Sequence, residues 1–133
     1  MTDAATLRDL TTPALLLDEG RMMRNIARLA GRMDGLGVAL RPHLKTAKSF
    51  EIAQRVTGGA FGPITVSTLA EAEAFHGAGY RDILYAVGIA PDKLPRVQVL
   101  AAKGCDVTVI LDSAGQARAV AEAGVPALIE IDS

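Results

Sequence analysis

Arg41, His43 and Lys45 stand two residues apart at the end of the apolar run Val38-Ala39-Leu40. A period of two puts all three side chains on one face of an extended segment. A guanidinium pairs bidentately with phosphate or carboxylate, and an imidazole holds or moves a proton near neutral pH. A lysine amine partly withdrawn from water loses affinity for its proton and attacks carbonyl carbons. If the run is a parallel strand, Lys45 leaves it at the C-terminal end, where barrel enzymes put their chemistry. Lys45 is then a candidate Schiff-base lysine, with His43 and Arg41 as contacts of an anionic cofactor. The competing reading is a solvated loop lysine beside an arginine that pairs with a nearby acid. Pro42 favours the first, because it restrains Arg41 to extended geometry and gives the segment a fixed shape as it leaves regular pairing.

The other reactive side chains have simpler explanations. Thr68 and Glu71 fit a capping box, Thr-x-x-Glu, and Ser113 with Gln116 repeats it in Ser-x-x-Gln form. Thr46 falls on the presumed active face, and Lys48 is expected to start the next helix, away from the strand's inward face. Asp112 and Asp132 each close an apolar strand and would point toward a barrel mouth, although such aspartates more often start the next turn. Cys105 is the sole cysteine and begins an apolar strand, which predicts a buried, inert thiol. With His43 and His76 as the only histidines, no spacing gathers three or four zinc ligands, and no complete metal site is expected.

The elements that must position these groups follow a βα rhythm. Apolar, β-branched runs begin at Ala14, Val38, Ile64, Ile83, Val107 and Ala127. Helical patterns lie between them, clearest in Met22, Ile26, Leu29 and Met33. Pro91 suits a first helical position, and Gly79, Gly104 and Gly124 suit left-handed helix ends. Apolar strands alternating with helices predict a parallel sheet, either a closed barrel or an open doubly wound sheet. No glycine fingerprint of a dinucleotide fold is present: Gly35-Leu36-Gly37 precedes a strand, and Gly58-Gly59-Ala60-Phe61-Gly62 has the wrong spacing. An eight-stranded barrel takes about 250 residues. Six strands in a chain of 133 therefore predict a truncated barrel.

Composition narrows the function. Half the residues are hydrophobic and 22% are charged, enough for one soluble domain with a core. The net charge of −1, with 4% aromatic residues and no tryptophan, argues against nucleic acid as a partner. Arg21, Arg24, Arg28 and Arg32 lie along one side of a helix and read as a solvated face. No stretch reaches the roughly 18 apolar residues of a membrane span, and the first residues lack the pattern of a signal peptide, so a cytoplasmic protein without a membrane partner is expected.

Together, Thr12-Pro13-Ala14-Leu15-Leu16-Leu17-Asp18, Asn25-Ile26, and above all Arg41-Pro42-His43-Leu44-Lys45-Thr46 resemble the D-threonine aldolase and D-serine dehydratase family, relatives of alanine racemase. The resemblance continues through Ile64–Glu73, Asp82–Ala86 and Leu128–Asp132. It implies an α/β fold, the N-terminal portion of a (β/α)8 TIM-type barrel of the alanine racemase type, with residues 1–133 a partial pyridoxal-phosphate-binding domain. It implies Lys45 as the lysine that holds pyridoxal phosphate, and a lyase acting on D-3-hydroxy amino acids such as D-threonine or D-serine. It further implies a homodimer when full length, and a divalent metal whose ligands lie outside this chain. An amino-acid racemase and a non-catalytic pyridoxal-phosphate carrier are the alternatives. Where many members have a second histidine after Lys-Thr, this chain has Ala47.

Overall fold

The computed structural model describes residues 6–131. A single 3-10 turn, Leu7–Asp9, precedes helix α1, Glu19–Leu36. Asp18 caps α1 by accepting from the Arg21 N–H at 2.8 Å, and Gly37 ends it in the left-handed region. Helix α2 spans Phe50–Val56. There follow strand β1 (Ile64–Val66), α3 (Leu69–Gly77), β2 (Asp82–Gly88), α4 (Leu94–Ala102), β3 (Asp106–Leu111), α5 (Ala114–Ala123) and β4 (Ala127–Ile129). Pro91 opens the 3-10 turn that leads into α4. Among the described residues no helix is long and apolar enough to cross a membrane.

The four strands are parallel and lie in the order β1-β2-β3-β4. Right-handed crossovers in one sequential direction keep every helix on the same face, and a sheet without a reversal has no switch point. Among the described residues the sheet thus has the sequential order of a barrel and not the reversal of an open doubly wound sheet. Ile64, Val66, Ile83, Tyr85, Val107, Val109 and Leu111 are buried in one cluster with Leu69, Phe75, Leu94, Val97, Leu100 and Val120 of the helices. Each large aliphatic side chain so buried contributes about 1.5–3 kcal/mol of hydrophobic stabilisation. The opposite parity, Leu84, Ala86, Thr108 and Ile110, is only half-buried.

Two expected strands are not formed. Residues 14–17 pair with nothing described, and Leu15 is 100% exposed. The run from Val38 is reduced to one parallel bridge, His43 to Thr65, made by Leu44 N–H to the Thr65 carbonyl (2.9 Å) and Thr65 N–H to the Pro42 carbonyl (2.8 Å). The next two bonds toward the N-terminus would require the N–H groups of residues 42 and 63. Both are prolines and have none. At the other end, the Leu44 carbonyl accepts from Lys48 N–H (3.0 Å) and Ser67 N–H donates to Glu71 (2.9 Å), so the ladder cannot continue there either.

Candidate active site at the end of the interrupted ladder

Released from the ladder, residues 45–47 form a turn closed by the Lys48 N–H to Leu44 carbonyl bond. Leu44, 3% exposed, anchors the turn in the core. Beyond it, Ser49 caps α2 by accepting from Ile52 N–H, and Phe50 meets Phe75 edge-on with ring centroids 5.1 Å apart. Lys45 therefore stands at the C-terminal edge of the sheet between two fixed points. Its side chain is exposed, not partly withdrawn from water, and it makes no ion pair among the described residues. Thr46 and Ala47 beside it are exposed as well.

His43 supports the turn from below. Its Nδ1 accepts the Lys45 N–H at 3.2 Å, and its Nε2 lies 3.4 Å from Ser67 Oγ. An Nδ1 that accepts must be unprotonated, so this contact requires the neutral ring with its proton on Nε2. Although His43 is exposed as a residue, the desolvation its ring does undergo and the Lys45 ammonium lower the imidazole from its ordinary value, while Glu71 pulls in the opposite direction.

Lys48 does not start the next helix. It sits in the left-handed region (φ 47°), two residues before α2, with its Nζ 3.0 Å from Glu71 Oε1. Glu71 in turn does not complete a capping box. Thr68 Oγ1 accepts from Glu71 N–H at 3.1 Å, but the Glu71 carboxylate reaches past Thr68 to Ser67 N–H. Ser113 and Gln116 do form the full reciprocal box on α5. Burial pushes the Glu71 carboxyl up, yet the Ser67 N–H, Lys48 and the Thr68 backbone outweigh it and keep it below the usual carboxylate value.

Arg41 is elsewhere. Its guanidinium holds Asp82 bidentately at 2.7 and 3.0 Å and donates to the Ile64 carbonyl at 3.2 Å. Asp82 and Ile64 begin their strands, so Arg41 clamps the N-terminal edge of the sheet. Lys45 lies four positions further on, about 13 Å for an extended chain. In this structure Arg41 makes the acid pair weighed as its alternative reading, with Asp82. Asp112 follows β3 and is exposed, with its N–H given to Gln116, and Asp132 lies outside the described residues. Cys105 is buried, and burial pushes its thiol up, away from the reactive thiolate. Among the described residues no three of His, Cys, Asp and Glu are gathered as metal ligands.

Sequence reasoning missed Ser67 and the Lys48–Glu71 link. The signal for Glu71 was present as a helix-cap motif, but the motif does not say which N–H the carboxylate takes. A nearby groove of about 290 Å³ is lined by Leu29, Leu40, Leu44 and Ile52 together with His43, Thr46 and Ala47 on either side of Lys45, which is not itself part of the lining.

Comparison with known proteins agrees with this architecture. The chain is 51% identical over 119 residues to D-threo-3-hydroxyaspartate dehydratase of Delftia sp., covering 90% of this chain and 31% of that protein. The solved structure of that enzyme superposes with a TM-score of 0.88 at 49% identity over 92% of this chain and 34% of its own. D-serine dehydratase of Dictyostelium discoideum is 36% identical over 93 residues, 66% of this chain and 23% of that enzyme. The structure of D-threonine aldolase from Filomicrobium marinum gives a TM-score of 0.81 at 32% identity, covering 95% of this chain and 36% of its own. The chain thus spans about a third of the length of these relatives, and its sheet is the N-terminal part of their barrel fold. The sequence profile of the alanine racemase N-terminal domain matches residues 17–133, and the chain belongs to that family.

Proposed function

We propose that this chain carries the cofactor lysine of a pyridoxal-phosphate-dependent lyase for D-3-hydroxy amino acids, and that Lys45 is that lysine. The observation that carries the reading is the contrast between the motif's two lysines. Lys48 is engaged by Glu71 at 3.0 Å, whereas Lys45 is exposed at the C-terminal edge with no acid partner among the described residues. An accessible primary amine on a fixed turn, with a neutral imidazole beneath it, is a donor set that fits an aldehyde cofactor. When bound, that cofactor supplies an electron sink for breaking a bond at the substrate Cα.

The chain's own contribution is positional and protonic. His43 fixes the Lys45 backbone through Nδ1, and Lys45 Nζ would hold the cofactor aldehyde covalently and, once displaced by the substrate amine, would be a free amine placed to act as a base at the substrate. Dehydratase and aldolase relatives at 51%, 36% and 32% identity support a lyase over a racemase. The phosphate-holding loops and the metal ligands fall, in this reading, outside residues 1–133. The test is to express the whole gene product and offer it D-threo-3-hydroxyaspartate, D-serine, D-threonine and D-alanine. Ammonia or aldehyde release from a hydroxylated substrate is expected. Interconversion of alanine enantiomers without lyase turnover would overturn the proposal.

A further inference from the structure

Two capping motifs of the same design behave differently in this chain, and the difference falls beside Lys45. On α5, the Gln116 side chain returns to the N-cap residue and closes the box with Ser113. On α3, Glu71 leaves the Thr68 N–H and takes the Ser67 N–H at 2.9 Å, with Oε1 3.0 Å from Lys48 Nζ. The Glu71 side chain is 11% exposed and that of Lys48 61%, so the carboxylate end of the pair is shielded while the ammonium end faces solvent.

The consequence for the backbone is specific. A ladder continuing past His43 would need Ser67 N–H to donate to the Leu44 carbonyl. Glu71 occupies that N–H, and Lys48 N–H occupies that carbonyl. The Lys48–Glu71 contact then ties the two ends of the interruption together and holds a non-glycine residue in the left-handed region, a conformation that persists only when its surroundings fix it.

We propose that Glu71 is a positioning residue for Lys45: acting through Lys48 and the Ser67 N–H, it ends the strand pairing at His43 and fixes the turn that presents the Lys45 amine. This rests on the reading of Lys45 as the cofactor lysine.

The experiment uses the whole gene product and the variants Glu71→Gln, Lys48→Met, their double, Lys48→Arg, and Gln116→Ala as a matched loss of the other cap. Amide hydrogen exchange of residues 45–48 is measured without cofactor, and pyridoxal phosphate affinity, kcat and KM with it. Glu71→Gln and Lys48→Met should each raise exchange at residues 45–48 and weaken cofactor binding about tenfold, the equivalent of about 1.4 kcal/mol. They should lower kcat more than they raise KM. The double variant should be no worse than either single, because the two residues act as one unit. Lys48→Arg keeps the cation and should stay within about twofold of the parent. Exchange and affinity within twofold of the parent in both single variants would overturn the proposal, as would equal effects from Gln116→Ala. If the cofactor is trapped on a lysine other than Lys45, the reading of Lys45 fails by itself, and the exchange data separately show whether Glu71 fixes the turn.

Discussion

His43 is a residue whose protonation state the fold needs. Its Nδ1 accepts from Lys45 N–H, and a protonated ring has no lone pair there to accept with. The folded chain keeps the imidazole below 6.5 through partial burial first and Lys45 second. Between that folded value and 6.5 the native state binds fewer protons than the unfolded one, so the stability contributed is complete above about 6.5 and lost as pH falls through the folded value. NMR titration of His43 should therefore give a value below 6.5. It should move down further in Glu71→Gln, which removes the one influence that raises it, and back up in Lys45→Ala. A His43 that titrates at or above 6.5, or shifts the opposite way in these variants, would contradict the geometry described for the turn.

At the scale of elements, the glycines that end helices differ in what they tolerate. Gly124 caps α5 at φ 65° with nothing within 4 Å of an added Cβ. Gly79, after α3, has φ 115°, and an added Cβ would lie 3.0 Å from the Phe61 ring, itself packed edge-on against Tyr80. Gly124→Ala should cost about 1–2 kcal/mol through the left-handed backbone alone. Gly79→Ala should cost more, because a ring must move as well. Equal melting temperatures for the two variants would show that Phe61 yields freely.

These same elements show what could be read from the sequence and why. The four runs from Ile64, Ile83, Val107 and Ala127 are apolar and each finds a neighbour, so their pattern and their pairing agree. The runs from Ala14 and Val38 carry the same apolar signal but lack the ladder, and for the second the cause is two prolines, Pro42 and Pro63, which remove the next two donors on opposite sides of the intended pair. The sequence reading weighed Pro42 for its shape and missed that Pro63 removes the matching donor. Arg41 shows why parity alone does not place a side chain along the sheet. Shared strand parity puts it on one face with Lys45 but says nothing of which end of the sheet each residue meets, and Asp82 takes the guanidinium at the N-terminal edge. Glu71 was legible as a cap, while its tie to Lys48 depends on a left-handed residue that no local pattern announces.

For the molecule as a whole, the surface of the sheet is unevenly covered. Leu128 and Ile129 of edge strand β4 are 55% and 73% exposed, Leu15 is fully exposed, and the row Leu84, Thr108, Ile110 is left half-buried by the described residues. An apolar edge with unpaired donors and acceptors promotes association. Residues 1–133 produced alone should therefore sediment as oligomers or aggregates and lack lyase turnover. A monodisperse, active preparation would mean that no further strands are needed to complete the site.

The central claim concerns one amine. The whole gene product, loaded with pyridoxal phosphate, is reduced with borohydride, digested and mapped by mass spectrometry, alongside Lys45→Ala and Lys48→Ala. The account predicts the reduced adduct on Lys45 in the parent and in Lys48→Ala. It predicts no adduct in Lys45→Ala, together with a loss of turnover of about 10²-fold or more, the scale of a removed acid–base group. An adduct on any other lysine of the parent, or full turnover by Lys45→Ala, would contradict it.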